Sequence, residues 1–184
     1  MVVATPPKLT VEEFFQLHGS ESNVDLVRGV VVRYPMPGAE HGTVCSIANF
    51  ELRAFAQTKK LGRVMGNDTL IRLAADTTRG ADVCFLSFAK FPADQKLTKG
   101  ILEVAPELVI EVRSPSDLWT DALGKMLDYI RAGVTAVVIL DPNTESASVF
   151  RSGTRQETFE KDETLTLPDV LPGFAVPVAR FFEE

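Results

Sequence analysis

Polar and apolar positions along this chain repeat with two periods, one helical and one of two residues. Thr10-Val11-Glu12-Glu13 opens the first helical stretch, because the Thr10 hydroxyl and the Glu13 carboxylate can satisfy early helix amides as a capping box. Val11, Phe14, Phe15 and Leu17 follow on it, and Gly19 stops it. Val24 to Tyr34 is rich in β-branched residues, and Arg28-Gly29 in its middle predicts a tight hairpin. After a loop over Pro35–Gly38, helical spacing returns from Ala39 to about Lys60, with Val44, Ile47, Ala48, Leu52 and Phe55 as its buried stripe.

Strands are expected near Gly62–Met65, Thr69–Leu73, Ala81–Leu86 and Glu107–Arg113, with a lysine-rich, exposed excursion over residues 88–104. Leu118 to Ala132 predicts a helix with Leu123, Leu127 and Ile130 inward and Gly133 as its left-handed cap. Val134–Leu140 reads as a buried strand closed by Asp141-Pro142-Asn143. Ser146–Arg151 and Gln156–Glu160 continue as antiparallel strands. The tail from Leu171-Pro172-Gly173-Phe174 to Phe182 is apolar enough to clasp the core. The pattern predicts one α/β (α+β) domain across residues 1–184, with an N-terminal helix and hairpin and no internal repeat.

Composition narrows the class. At 45% hydrophobic and 24% charged residues the chain is neither disordered nor membrane-spanning. The longest strand-like apolar run, Val137-Val138-Ile139-Leu140, is far short of a spanning helix. Residues Met1 to Lys8 lack the basic and apolar regions of a secretory signal. Cys45 and Cys84 have small or apolar neighbours, which suits reduced thiols in a cytoplasmic protein. Charge is unevenly spread within the net −6: residues 53–99 carry nine Lys/Arg against four Asp/Glu, and residues 100–184 carry seven against fifteen. A basic zone on an acidic protein can hold a polyanion, or it can be the solvated face of a helix and loops.

Two carboxylates stand inside apolar, strand-like runs: Asp82 in Asp-Val-Cys-Phe-Leu and Glu111 in Leu-Val-Ile-Glu-Val. A buried ionised carboxylate requires compensation by an arginine, by backbone amides or by a metal cation. Strand alternation puts Val109, Glu111 and Arg113 on one side. If the two strands are neighbours, Asp82 and Glu111 can converge on one hard cation, and oxygen-only ligation completed by water suits Mg²⁺ or Mn²⁺. Taken singly, an acid in an apolar strand is usually a strand-end residue or an ion-pair partner.

The series Val24-Asp25-Leu26-Val27-Arg28-Gly29, His41-Gly42, Ala81-Asp82-Val83, Glu111-Val112-Arg113-Ser114-Pro115-Ser116, Lys125, Tyr129, Ala132-Gly133-Val134, Asp141-Pro142 and Leu171-Pro172-Gly173-Phe174 resembles the putative restriction endonuclease family of the PD-(D/E)XK nuclease superfamily. The resemblance runs from about Leu9 to Phe182. It implies a restriction-endonuclease-like core, a mixed β-sheet flanked by helices. It also implies a metal-dependent phosphodiesterase site of Asp82, Glu111 and a lysine, Lys125, displaced from the strand onto the next helix. DNA is the implied substrate. A homodimer is expected because two sites cut two strands.

On a helical wheel Lys125 lies almost opposite Leu123, Leu127 and Ile130. It therefore reaches the site only if the face bearing Ala122 and Tyr129 also meets protein. Arg113, on the face of Glu111, is the alternative cation; it can bind phosphate or neutralise Glu111 but cannot act as a base. Asp25 stands where the family shows a glutamate and is a candidate third acid on a shorter arm. Val30 replaces a further family acid, and Ala81 replaces the motif's proline. His41 matches a family histidine that could contact phosphate or metal, against the plainer reading as a helix-start residue. His18 has no supporting context. Ser114 and Ser116 are read as helix caps, and Trp119 and Tyr129 as packing residues.

Overall fold

The capping box forms as its sequence dictates, with Glu13 N–H donating to Thr10 Oγ1 and Thr10 N–H to Glu13 Oε2, and it starts α1 (Val11–His18). The structure is a computed structural model and describes residues 8–114 and 118–183. Strands β1 (Val24–Val27) and β2 (Val30–Arg33) form the expected hairpin, turning on Arg28 and Gly29, both at positive φ. Helix α2 (Ala39–Thr58) follows and buries Val44, Ala48, Leu52 and Ala56, with Ile47 and Phe55 at the margin of that stripe.

The two expected strands at 62–65 and 69–73 are one, β3 (Gly62–Ala74), interrupted by an irregularity in register between Gly66 and Thr69. It pairs along its length with β4 (Thr77–Ser87). A strand has two hydrogen-bonding edges, so β1 and β5 (Leu108–Val112) share the other edge of β4. β1 meets it at Thr78 and β5 meets it at Val83–Phe85. Between those contacts β1 and β5 diverge. The parallel neighbour of β5 is β6 (Ala136–Asp141), reached through α3 (Trp119–Arg131), and β7 (Ser146–Arg151) and β8 (Glu157–Phe159) close the sheet antiparallel. Strands β9 (Thr164–Thr166) and β10 (Ala175–Pro177) pair separately, before a 3-10 turn at Val178–Phe182.

The mixed sheet has a core on each face. On one, α2 packs over Val83, Phe85, Leu108 and Ile110, and the predicted clasp is present: Leu171, Phe174, Val178 and Phe181 are buried there. On the other, α3 packs over Cys84, Val109, Val137 and Ile139. The α3 stripe differs from the expected one: Leu127 is 44% exposed, and Met126 and Tyr129 are the buried centre. Burying the Tyr129 face gives its hydroxyl two acceptors, and that brings Lys125 toward the sheet. The excursion over 88–104 is exposed over most of its length, with Phe88 and Phe91 half-buried at its start. Ile101 and Leu102 are buried near its end, where Leu102 exchanges backbone hydrogen bonds with Leu70 and Arg72 of β3. Helix α3 begins beyond Leu118 without a side-chain cap, and Pro115 and Ser116 lie outside the described residues.

Candidate active site

The site lies where β1 and β5 part from the common edge of β4. Among the described residues Gly80 has no strand partner on that edge, and side chains replace one: its N–H donates to Asp25 Oδ1 at 2.9 Å, and its carbonyl accepts the Tyr129 hydroxyl at 3.1 Å. One step further along, the register Val83↔Ile110 places Asp82 opposite Glu111, on the face that α3 covers. Such cross-strand neighbours have Cβ atoms about 5 Å apart. The strands are therefore adjacent, as convergence of the two acids requires.

Asp82 accepts the Val112 N–H at 2.7 Å through Oδ2, and the same oxygen lies 3.4 Å from His41 Nε2. Glu111 is 8% exposed and accepts Tyr129 at 2.8 Å on Oε1 and Lys125 at 3.4 Å on Oε2. Burial pushes its carboxyl up to about 7; Lys125 and Tyr129 oppose that shift, and Asp82 and Asp25 add to it. Burial alone would lower the Lys125 ammonium, but Glu111, Asp25 and Asp82 outweigh it and hold the group firmly charged. Lys125 also sits over the Tyr34 ring, 4.6 Å from its centroid.

The other expected residues are placed as follows. Asp25 is almost fully buried and bound by Arg79 at 3.1 Å as well as by Gly80, and Arg79 also holds Asp128 at 2.6 Å. His41, in the first turn of α2, stands between Asp82 and Cys45. Burial lowers its pKa, but the carboxylates of Asp82 and Glu111 more than reverse this. Arg113 is engaged elsewhere, at 2.5 Å from Asp141 and over the Trp119 ring. The cation beside Glu111 is thus Lys125 rather than Arg113.

Three further residues were not marked as site residues by sequence. Tyr129 is fully buried, as a packing residue should be, but its hydroxyl serves Glu111. Cys45, one helical turn after His41, joins His41 and Asp82 in a trio whose ligand atoms lie within 4.8 Å of one another; burial raises its thiol well above the usual range. Asp68, at φ +53° in the irregularity of β3, lines the same cleft, and partial loss of water and the charge of Asp82 raise its carboxyl. Its signal was the Gly66-Asn67-Asp68 run, turn-forming residues inside a strand pattern. Asp25, His41, Asp68, Asp82, Glu111 and Lys125 line one cavity of about 520 Å³, which Arg113 and Asp121 also reach.

A family model described as Uma2, putative restriction endonuclease, matches residues 11–179. The chain belongs to this family. Within the matched span, Asp82, Glu111 and Lys125 are gathered at the split in the sheet. No curated protein matches the chain. The crystal structure at 1.96 Å of a putative nuclease belonging to DUF820, from Anabaena variabilis, is similar in fold: the TM-score is 0.84 at 20% identity, over 95% of this chain and 97% of that one. Among the described residues of this Uma2 protein, no helix is long and apolar enough to cross a membrane.

Proposed function

We propose that this chain is a divalent-metal-dependent endonuclease that hydrolyses phosphodiester bonds of DNA. The observation that carries the reading is the placing of Asp82 and Glu111 on adjacent strands at one cleft, with Lys125 3.4 Å from Glu111. The donor set fits a hard cation: Asp82, Glu111 and Asp68 present carboxylate oxygens to one cleft. Asp82 and Glu111 would hold Mg²⁺ or Mn²⁺, which on binding would polarise the scissile phosphate and acidify a water.

The chain's own groups have separable tasks. Asp82 is fixed in direction by the Val112 amide, and Glu111 by Tyr129. Lys125, charged and facing the same cleft, can hold the attacking water or the charge that grows on phosphate oxygen. His41, with its pKa raised, can offer an imidazolium N–H to a phosphate oxygen. Asp25 acts at one remove, tying Gly80 and Arg79 together behind the acids. Two copies in a homodimer would let both strands be cut, and the two free cysteines fit a reducing cytoplasm.

One feature favours a second reading, a nuclease-fold module that binds DNA without cutting it. Asp25, the candidate third acid, is engaged by Arg79 and Gly80. Calorimetric titration of Mn²⁺ into the wild type, Asp82→Asn and Glu111→Gln, followed by nicking of supercoiled plasmid, separates the two. The endonuclease binds Mn²⁺ and nicks, and loses both in the two variants. Metal binding without nicking leaves the module.

A further inference from the structure

The basic zone from Arg53 to Lys99 is not a set of ion pairs. Arg72 and Arg79 are paired with carboxylates. Among the described residues, Arg53, Lys59, Lys60, Arg63, Lys90, Lys96 and Lys99 have no carboxylate within 4.0 Å. Arg63 is anchored without being neutralised, since its guanidinium donates to the carbonyls of Phe91, Pro92, Ala93 and Gln95 and lies against the rings of Phe88 and Phe91. Arg53, Lys60 and Arg63 rim one groove of about 590 Å³, whose floor is Ala56, Val64, Met65 and Phe88.

The groove is joined to the acidic cleft by one row of residues. His41, Cys45, Asn49, Arg53 and Gln57 follow each other at intervals of four along α2, each neighbouring the next in a row that winds slowly around the helix. That row borders β3 closely: a Cβ on Gly66 would come within 2.7 Å of the Asn49 amide. The row begins at the cleft with His41 and ends at the groove with Arg53 and Gln57. Twelve residues of helix span about 18 Å. The strand path from Asp82 to Phe88 gives about 20 Å.

We propose that the α2–β3 seam is a docking track for the sugar–phosphate backbone of DNA, with the groove at Arg53, Lys60 and Arg63 gripping phosphates about six base pairs from the bond in the cleft. The inference rests on the nuclease reading for what occupies the cleft. The track itself rests on charge: Arg53, Lys60 and Arg63, three cations without acidic partners at one groove of a chain of net charge −6, are complementary to a polyanion. The apolar floor suits deoxyribose, and Asn49 supplies an amide between the two ends. Grip at a distance would set which phosphate reaches Lys125.

The test measures duplex binding by fluorescence anisotropy against salt concentration, in an Asp82→Asn background that keeps the DNA intact. Arg53→Gln with Lys60→Gln is compared with Arg131→Gln with Arg155→Gln, two exposed cations outside the track. The expected result is a salt slope shallower by about two in the groove variant, a tenfold or greater loss of affinity at about 0.1 M salt, and no change in the control. Lengthening the duplex on one side should raise affinity until about six base pairs flank the cleft.

Equal binding by all proteins, or no binding by any, overturns the track. So does binding of a poly-glutamate peptide as tight as DNA at matched charge, which would assign the groove to an acidic protein segment. Plasmid nicking by the wild type decides the nuclease reading separately. A salt slope lost in the groove variant without nicking by the wild type upholds the track and removes the nuclease.

Discussion

The phenolic oxygen of Tyr129 lies 2.8 Å from Glu111 Oε1 and 3.1 Å from the carbonyl of Gly80. A hydroxyl has one proton, so it serves one acceptor at a time. With Glu111 ionised the proton belongs to the carboxylate. With Glu111 protonated, the carboxyl can donate to the phenol, and the phenol turns to Gly80. Tyr129→Phe removes the donor from both acceptors and should cost about 1–3 kcal/mol of stability, read in a denaturant melt. It should also move the titration of Glu111 upward, since Tyr129 lowers it in the native protein.

Metal affinity should follow that titration. Glu111 sits near 7 without metal and must ionise to ligate, so Mn²⁺ affinity rises with pH up to about that point and then levels. Calorimetry in buffers of different ionisation enthalpy should detect close to one proton released at roughly pH 6 and little at roughly pH 8.

Stability of the metal-free protein should fall over the same range. The folded Glu111 keeps a proton between its ordinary 4.5 and about 7 that the unfolded chain has lost, so folding is progressively disfavoured as pH rises through that window. The raised pKa of His41 acts with the same sign: its stabilising protonation is complete below 6.5 and is lost as pH climbs through the higher folded value. Thermal melts with saturating Mn²⁺ should lose the Glu111 part of this slope.

Lys125→Met should separate chemistry from metal binding. Cleavage falls on the order of a hundredfold or more, the usual loss when a preorganised charge beside the reacting group is removed. Because Lys125 lowers the Glu111 titration, the variant needs a higher pH than wild type to ionise Glu111. Once that pH is reached, Mn²⁺ affinity stays within a few-fold of wild type. Lys125→Arg should recover part of the rate.

Arg79→Met leaves Asp25 and Asp128 facing a buried apolar side chain. Stripping a buried carboxylate of its cation costs about 3–5 kcal/mol, so a clear loss of stability in urea is expected. Restoring much of it with Asp128→Asn would show that stranded charge is the cause.

The helices, the hairpin and the pair Asp82/Glu111 were legible because each leaves a local mark: a capping box, a turn dipeptide, an acid inside an apolar run. The roles of Tyr129 and Asp68 were not. Tyr129 is indistinguishable from a packing residue until β4 lacks a partner at Gly80, and that gap exists only because β1 and β5 diverge. Asp68 reaches the cleft through an irregularity that spacing marks as a break between two strands. The orientation of α3 failed for a related reason. Leu127 outscores Tyr129 on hydropathy, but two buried acceptors in the sheet decide which face turns inward. Arg113 is drawn toward Asp141, a partner twenty-eight positions away that strand alternation does not reveal.

The clasp formed by Leu171, Phe174, Val178 and Phe181 has a consequence for synthesis. These side chains close the core beneath α2, so the helix bearing His41 has an uncovered apolar face while the ribosome is still translating the intervening strands. Nascent protein therefore covers that face fully only after residue 181 has emerged, and a stalled or shortened product would expose it to chaperones.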